Sequence, residues 1–303
     1  MGGTFSCCQP EIAVNRHIVR PIRQIGEGAY SQVYEVMESD TGDRYALKTM
    51  LCQSPALLER AKLEIEVLTS CAHPNVVSLV DHAQSTSTTA AASDQILFLF
   101  PLYRRGTLRA VLEEMEARNQ RWSERQVLEL FLGLCKGLAV LHSHSPPLVH
   151  RDLKCLNVLL SDDGRQAILM DFGSVAKARR AIRSHADAVK LEEEADKSCS
   201  PMYRPPELYD PPFNADIDER TDIWSLGCTL YEMAYGKNPF EEAYTHQGAS
   251  IKLSAMSGRI DFPRDGHHSE ELQSLVRRLM HKNMDERPYI DEVIHSVERM
   301  LSA

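Results

Sequence analysis

One segment of the sequence reads His150-Arg151-Asp152-Leu153-Lys154-Cys155-Leu156-Asn157, and a second, Asp171-Phe172-Gly173, follows it along the chain. Asp152 is a carboxylate that can orient an attacking hydroxyl and accept its proton. Lys154 supplies a cation that can stabilise charge on a transferred phosphate. Asn157 and Asp171 are hard oxygen ligands of the kind that Mg²⁺ prefers when it also keeps water and phosphate oxygens. Together these residues predict phosphoryl transfer.

A phosphate donor needs a binding site, and the N-terminal third of the chain supplies residues for one. Gly26-Glu27-Gly28-Ala29-Tyr30-Ser31-Gln32-Val33 is a glycine-rich loop, and glycine without a Cβ lets backbone amides fold close over phosphates. Tyr45-Ala46-Leu47-Lys48 alternates apolar and polar residues as a strand does. From about Leu57 to Cys71, apolar residues recur at helical spacing. We expect Glu64 of this helix to pair with Lys48.

Taken together, these motifs resemble the eukaryotic protein kinase family, in which they occur in this order. Three later segments agree, namely Tyr203-Arg204-Pro205-Pro206-Glu207, Asp222-Ile223-Trp224-Ser225-Leu226-Gly227-Cys228 and Arg287-Pro288. The resemblance covers about residues 20–301. It implies an α+β, two-lobed protein kinase fold, with a small, mainly β lobe at about 20–101 and a larger helical lobe at about 102–303. Residues 1–19 would form a leader.

The resemblance also implies the site residues. Asp152 and Lys154 are the expected catalytic pair, and Asn157 and Asp171 the expected Mg²⁺ ligands. The residues expected to bind ATP are Gly26, Glu27, Gly28, Ala29, Tyr30, Ser31, Val33, Ala46, Lys48, Glu64, Phe100, Pro101, Tyr103 and Leu159.

The segment that joins the lobes tests this alignment, because Pro101 has no backbone N–H. By the resemblance, residue 101 offers only its carbonyl oxygen to adenine. The N–H that adenine requires comes two residues later, from Tyr103. The resemblance places Phe100 at the gatekeeper position behind adenine. Val33 and Ala46 would contact adenine from above and Leu159 from below, although packing in the core also requires apolar side chains there.

Two residues bear on the acceptor. By the resemblance, Lys154 is typical of serine/threonine kinases, and Ser200 lies where the family has a hydroxyl residue that contacts both Asp152 and Lys154 in the acceptor pocket. Protein substrates with Ser or Thr acceptors are therefore expected, with dual specificity as the remaining possibility. A pseudokinase scaffold that acts by binding partners is the alternative class, and a lipid or small-molecule kinase is disfavoured.

The segment from Ser174 to Cys199 is unusual for this family. Residues 176–183 are basic and residues 190–197 are highly charged, and both blocks are helix-prone because neither contains Gly or Pro. We therefore predict a partly helical segment, against the alternative of a disordered charged insert. Arg151 could pair with a phosphate on this segment, and autophosphorylation is plausible near Ser198 or Ser200.

The composition narrows the class of protein. The chain has 303 residues, a net charge of −9, 43% hydrophobic residues and eight cysteines. An acidic chain is a poor partner for nucleic acid, no apolar run predicts a membrane span, and scattered single cysteines fit reduced thiols. Gln95–Pro101 predicts a buried strand, Ser85–Ser93 a loop, and one apolar helix face is predicted at Val127, Leu130, Phe131, Leu134, Leu138 and Leu141.

The leader suggests acylation. Gly2 followed by Ser6 fits the N-myristoylation pattern, and Cys7 and Cys8 could take the second lipid that stable anchoring needs. An unmodified N-terminus is the alternative. With the rest of the chain, this leader resembles the Numb-associated kinase subgroup, which implies autophosphorylation and a location on the cytoplasmic face of Golgi, vesicle or plasma membranes, with a cytosolic pool. The oligomeric state is not predicted.

Overall fold

The computed structural model describes residues 11–28, 30–85, 94–241, 244–245, 248, 250–263 and 267–303. The chain divides into two compact units, Met1–Arg104 and Arg105–Ala303, called here the N-terminal and C-terminal units. Five residues singled out in the sequence, Gly2, Ser6, Cys7, Cys8 and Ala29, lie outside the described residues, as does nearly all of the predicted loop at Ser85–Ser93.

The N-terminal unit is built on a six-stranded antiparallel sheet in the order β1-β2-β3-β4-β6-β5. The strands are β1 (Ile12–Val14), β2 (His17–Gly28), β3 (Ser31–Glu38), β4 (Arg44–Cys52), β5 (Asp81–Ser85) and β6 (Asp94–Pro101). Apolar side chains on one face form its core, at Val14, Val19, Val36, Leu47, Leu97 and Leu99. The buried strand predicted at Gln95–Pro101 is confirmed as β6.

One helix accompanies this sheet, as the sequence predicted. Helix α1 spans Pro55–Ser70, and the side chain of Ser54 caps its first turn by accepting a hydrogen bond from the backbone of Leu57. Proline suits the first turn because the amide it lacks would have no partner within the helix. Glu64 lies on the buried side of α1.

The C-terminal unit is mainly helical. Its helices are α2 (Leu108–Ala117), α3 (Glu124–His142), α4 (His185–Ser198), α5 (Pro206–Tyr209), α6 (Arg220–Tyr235), α7 (Ile251–Ser257), α8 (Glu270–Leu279) and α9 (Ile290–Ser302). The apolar face predicted on α3 is confirmed, since all six of its residues are buried. Helix α6 is buried along its whole length and packs against α3 and α8, so it forms the centre of this unit.

Short strands complete the C-terminal unit. Two apolar runs on either side of Asp162-Asp163-Gly164 form a hairpin of β8 (Val158–Leu160) and β9 (Ala167–Leu169). Gly164 in its turn has φ +74°, a conformation that suits glycine. Strand β7 (Leu148–Val149) precedes the first catalytic segment.

The segment from Ser174 to Cys199 is partly helical, as predicted. Residues 185–198 form α4, so the chain here is helical rather than a disordered insert. Residues 176–183 are not helical, although their composition is helix-prone. They contain β10 (Ala176–Lys177), which pairs with β7, and β11 (Arg180–Ile182), which pairs with β12 (Ala215–Ile217). Pairing with distant strands overrides local helix propensity.

The helices in the described ranges are all too short or too polar to cross a membrane. Cysteines 52, 71, 135, 155, 199 and 228 are free, buried thiols, as predicted for a chain that does not depend on disulfides.

Candidate active site

Lys48 and Glu64 form an ion pair in the N-terminal unit, as the sequence led us to expect. The Nζ atom of Lys48 lies 2.7 Å from the Oε1 atom of Glu64, and the side chains are 15% and 2% exposed. Lys48 is fixed in the middle of β4, where it pairs with Val33 of β3 and with Phe98 of β6. The partly exposed ammonium group is thus held by a buried carboxylate, and can bind an anion.

The glycine-rich segment forms the end of the hairpin between β2 and β3. Gly26 pairs with Val33, and Gly28 with Ser31. A Cβ atom added at Gly28 would lie 2.9 Å from the side-chain oxygen of Ser31. Glycine therefore lets the two strands approach closely where they meet, which is the property that a phosphate-covering loop requires.

The residues expected around adenine lie on the same sheet or follow it. Ala46 of β4 is directly opposite Phe100 of β6, and Tyr45 is opposite Pro101. All of them are partly buried, as is Tyr103. In the C-terminal unit, Leu159 lies on β8, where it forms an isolated bridge with Thr107.

The carboxylate of Asp152 is the centre of the residues in the C-terminal unit. Its Oδ2 atom accepts hydrogen bonds from Lys154 Nζ at 2.8 Å and from Asn157 Nδ2 at 3.0 Å. Its Oδ1 atom accepts one from the backbone of Ser200 at 3.0 Å. Charge-assisted bonds of this kind fix both the position and the orientation of a carboxylate.

Ser200 also reaches Lys154, since Lys154 Nζ donates to its hydroxyl oxygen at 2.7 Å. The contact of Ser200 with both Asp152 and Lys154, expected from the sequence, is therefore present. Ser200 is thus held by both catalytic groups, through its backbone N–H at Asp152 and through its hydroxyl at Lys154.

The candidate metal ligands are brought near each other by the β8–β9 hairpin. The backbone of Met170 donates to the carbonyl of Asn157 at 3.0 Å, and Asp171 follows directly with φ +64°. Because Asn157 Nδ2 is used by Asp152, its amide oxygen is the atom that could coordinate a cation.

This pair of oxygen ligands fits Mg²⁺, which takes one or two protein ligands and completes its shell with water and phosphate. A denser site is absent, since no group of three or more His, Cys, Asp or Glu that could hold a metal occurs within the described ranges.

His150 links the two catalytic segments. Its Nε2 atom lies 3.1 Å from the carbonyl oxygen of Met170, and its ring contacts that of Phe172 edge to face at 5.4 Å. The segment that carries Asp152 is thereby tied to the segment that carries Asp171.

Asp222 holds the backbone of the catalytic loop, a role that its motif did not reveal. This aspartate on α6 is 1% exposed, and its carboxylate accepts hydrogen bonds from the backbone of His150 at 2.7 Å and of Arg151 at 2.9 Å. The Arg151 backbone has φ +69°, which a non-glycine residue adopts only when its surroundings impose it. The sequence signal for this role is that the charged Asp222 directly precedes the apolar residues Ile223 and Trp224. A charge buried with them needs hydrogen-bond partners.

A second buried carboxylate, Glu232, was also missed. It accepts a hydrogen bond from Arg109 at 2.9 Å and another from the hydroxyl of Tyr203. Tyr203 is in the segment that follows Ser200, so α6 holds that segment as well as the catalytic loop. No local pattern connects these three residues.

Cysteine chemistry is disfavoured at this site. Cys155 lies within the catalytic loop, but it is fully buried and burial raises the pKa of its thiol. Since the thiolate is the reactive form, Cys155 serves packing rather than nucleophilic attack.

Comparisons with known proteins agree with this geometry. Residues 19–297 match the protein kinase domain family. The chain is 33% identical to human serine/threonine-protein kinase 16, over 97% of this chain and 94% of that protein, and 32% identical to the rat protein of the same name over the same shares. It is 29% identical to a probable serine/threonine-protein kinase of Dictyostelium discoideum over the full length of both.

Proposed function

This chain belongs to the protein kinase family and is a serine/threonine protein kinase, and from that premise we propose an active, Mg²⁺-dependent enzyme that transfers phosphate from ATP to protein hydroxyls and to itself. The observation that carries the proposal is the carboxylate of Asp152, held by Lys154, Asn157 and the backbone of Ser200. A scaffold that only binds partners would not need a carboxylate oriented in this way.

The residues of the C-terminal unit divide the chemistry among them. Asp152 orients the acceptor hydroxyl and takes its proton as the hydroxyl oxygen bonds to the γ-phosphorus and the bond from that phosphorus to the departing ADP breaks. Lys154 stabilises negative charge on the transferred group. Asn157 and Asp171 hold Mg²⁺, which when bound neutralises charge on the phosphate oxygens. Most of the catalysis is then positioning and electrostatics, as expected for phosphoryl transfer.

The N-terminal unit supplies the residues that bind the phosphate donor, ATP. Lys48, held by Glu64 at 2.7 Å, is a fixed cation for the nucleotide phosphates. The glycine-rich hairpin brings backbone amides close to a phosphate chain. Ala46 and Phe100, which are opposite each other on β4 and β6, offer the apolar surface that an adenine ring requires.

Serine and threonine are the proposed acceptors. The support is Ser200, whose hydroxyl receives a hydrogen bond from Lys154 at 2.7 Å and whose backbone N–H donates to Asp152 at 3.0 Å, so that a hydroxyl residue contacts both catalytic groups. Ser198 and Ser200 are the candidate autophosphorylation positions, since Ser200 contacts the catalytic loop and Ser198 precedes Ser200 by two residues.

We place the enzyme on membranes through its N-terminus. Gly2 with Ser6 fits the pattern for myristate, and palmitate on Cys7 and Cys8 would supply the second anchor. The leader resembles that of the myristoylated and palmitoylated serine/threonine kinase of the Numb-associated subgroup. By that resemblance the location is the cytoplasmic face of Golgi, vesicle or plasma membranes. Metabolic labelling with alkyne fatty acids tests this, and Gly2→Ala should abolish both labels and membrane sedimentation.

The central test is phosphate transfer by the purified chain. We expect labelled ATP and Mg²⁺ to yield phosphoserine and phosphothreonine on the protein and on a generic protein substrate. Asp152→Asn should reduce the rate about 10²- to 10⁴-fold, while Asp210→Asn, an exposed aspartate of the same unit, should leave it unchanged. ATP binding without transfer to any acceptor would favour the scaffold instead.

A further inference from the structure

The side chain of Arg151 has a partner that no motif predicts. Arg151 Nη2 donates to Glu194 Oε2 at 3.1 Å, and Arg180 Nη2 donates to Glu194 Oε1 at 2.7 Å. One carboxylate therefore bridges two guanidinium groups, one oxygen to each. Arg151 immediately precedes Asp152, whereas Arg180 is on β11 and Glu194 is on α4.

Helix α4 holds Glu194 in place through contacts of its own. The helix begins with a capping box, in which Ser184 and Asp187 exchange side-chain and backbone hydrogen bonds. Its buried side contributes to an apolar cluster that consists of Ile182, Leu191, Ala195, Cys199, Leu208, Ile217 and Met284. Near its end, Arg204 pairs with Asp196 and donates to the carbonyl of Ala195. The helix is thus fixed by packing and ion pairs within the C-terminal unit.

The charge state of Glu194 suits a bridge between arginines. Burial of the carboxyl raises its pKa, but the charges of Arg151 and Arg180 and their hydrogen bonds lower it further, and the net result is a lowered pKa. The group is therefore an anion at neutral pH. It offers what a phosphate on an activation segment offers, namely negative charge and several acceptor oxygens for arginine.

Arg151 is consequently fixed at both ends. Its backbone amide is bonded to Asp222 at 2.9 Å, and its guanidinium to Glu194 at 3.1 Å. Because Asp152 is the next residue, movement of the Arg151 backbone would also displace the carboxylate that accepts the proton.

We infer that Glu194 is a positioning residue that does the work of an activation-segment phosphate, so that the catalytic loop and β11 are aligned without phosphorylation of the segment. The inference rests on the proposed kinase activity for its kinetic consequence. Its structural content, an alignment that depends on one carboxylate, can be measured separately. Autophosphorylation of Ser198 or Ser200, where it occurs, is then not required for turnover.

The test compares Glu194→Gln with Glu193→Gln, an exposed neighbour on the same helix. Glutamine keeps the size of the side chain and removes the charge. With a peptide substrate at saturating ATP, we expect kcat to fall about tenfold or more in Glu194→Gln, which corresponds to about 1.4 kcal/mol, with the KM for ATP and the Tm nearly unchanged. Glu193→Gln should match the wild type, and wild-type enzyme stripped of phosphate by a phosphatase should keep its kcat.

A variant of the second arginine separates positioning from general stability. Arg180→Gln should also lower kcat, and the double variant Glu194→Gln/Arg180→Gln should be hardly worse than Glu194→Gln, since both changes break the same bridge. Losses that multiply would contradict a shared role. Arg180→Gln also tests the bridge if Glu194→Gln proves unstable.

Hydrogen exchange gives a readout that does not need activity. Amides of residues 150–157 and 180–183 should exchange faster in Glu194→Gln than in Glu193→Gln. An inactive wild type with this exchange difference would overturn the proposed activity and leave the inference standing. An active wild type in which Glu194→Gln changes neither kcat nor exchange would overturn the inference alone, as would a tenfold loss of kcat when the wild type is dephosphorylated.

Discussion

A single carboxylate on α6 determines the backbone of the catalytic loop. Asp222 accepts the amides of His150 and Arg151 and lies 3.1 Å from the Nε2 atom of His142. Burial of this carboxyl raises its pKa, but the hydrogen bond and charge of His142 and the interaction with His150 lower it, and the net pKa is below the ordinary value of 3.8. The loop is therefore held best by the ionised form.

We expect Asp222→Asn to lower both stability and turnover. The amide keeps one acceptor but turns a donor towards a backbone N–H, so that a buried hydrogen bond to a charged group is lost, at a cost of about 1.5–3 kcal/mol. Because the folded pKa is lowered, the contribution of Asp222 is present above pH 3.8 and is lost as the pH falls through the folded pKa.

Urea unfolding at several pH values measures this effect. The free-energy difference between the wild type and Asp222→Asn should be largest near neutral pH and should shrink as the pH falls below 3.8. Asp210→Asn serves as the exposed control. A difference that stayed constant down to acid pH would mean that the charge of Asp222 contributes nothing.

The buried ion pair between Glu207 and Arg287 should contribute to the stability of the C-terminal unit. Its two hydrogen bonds measure 2.7 and 2.8 Å, and the side chains are 6% and 0% exposed. Removing one partner of such a pair leaves a buried charge uncompensated, so Arg287→Met should destabilise the protein by about 3–5 kcal/mol.

The double variant Glu207→Gln/Arg287→Met distinguishes this cause from lost packing. It should recover part of the loss in a chemical unfolding experiment, because the uncompensated carboxylate is gone. Equal loss in the single and double variants would instead assign the effect to the other interactions of the arginine side chain, which also donates to the carbonyls of His281 and Arg220.

At the scale of elements, local patterns predicted the structure where local contacts determine it. Helix α3 follows from its apolar spacing, and the β8–β9 hairpin follows from two apolar runs around Asp162-Asp163-Gly164. The basic residues 176–183 looked helical for the same local reason, yet they form β10 and β11. Their partners, β7 and β12, are distant in the sequence, and no local pattern indicates them.

In the candidate site, too, contacts between residues close in sequence were predicted and contacts between distant residues were not. Motif order and spacing placed Asp152, Lys154 and Asn157 correctly beside one another because they lie within six residues. The supports of the loop come from further away. Asp222 is 71 residues from Arg151, and Glu194 is 43 residues from it. Contacts at that separation depend on how helices pack, which periodicity does not reveal.

The cap of α4 gives a prediction at the scale of the element. Ser184 accepts from the backbone of Asp187, and the Asp187 side chain accepts from the backbone of Ser184. Ser184→Ala should therefore cost about 0.5–2 kcal/mol, and should speed hydrogen exchange in the first turns of α4.

Ser198 provides the matched control, since its hydroxyl donates back to the carbonyl of Glu194 within the same helix and otherwise lies 3.7 Å from the Sγ atom of the adjacent Cys199. Ser198→Ala should change the exchange of α4 little. If Ser184→Ala left the exchange of α4 as it is in the wild type, the helix would be held by its apolar side and its ion pairs alone.

At the scale of the whole molecule, neither unit carries a complete site. The N-terminal unit holds Lys48 with Glu64 and the glycine-rich hairpin, whereas the C-terminal unit holds Asp152 and the oxygen ligands Asn157 and Asp171. Phosphoryl transfer needs a fixed cation for the donor, a metal site and a base together. The proposed activity needs the functions of both sets, and the contribution of each set to nucleotide binding can be tested without measuring catalysis.

Nucleotide binding should stabilise the protein through residues of both units. At a concentration 100 times its Kd, ATP with Mg²⁺ adds about 2.7 kcal/mol, which raises the Tm by several degrees. We expect Lys48→Met to reduce this rise, and Asp171→Asn to remove the part that chelation of Mg²⁺ abolishes in the wild type. Lys62→Met, which removes an exposed cation of α1, should keep the full rise. If Lys48→Met responded like Lys62→Met while Asp171→Asn lost its Mg²⁺ dependence, Lys48 would contribute nothing to nucleotide binding, and its proposed role would be wrong.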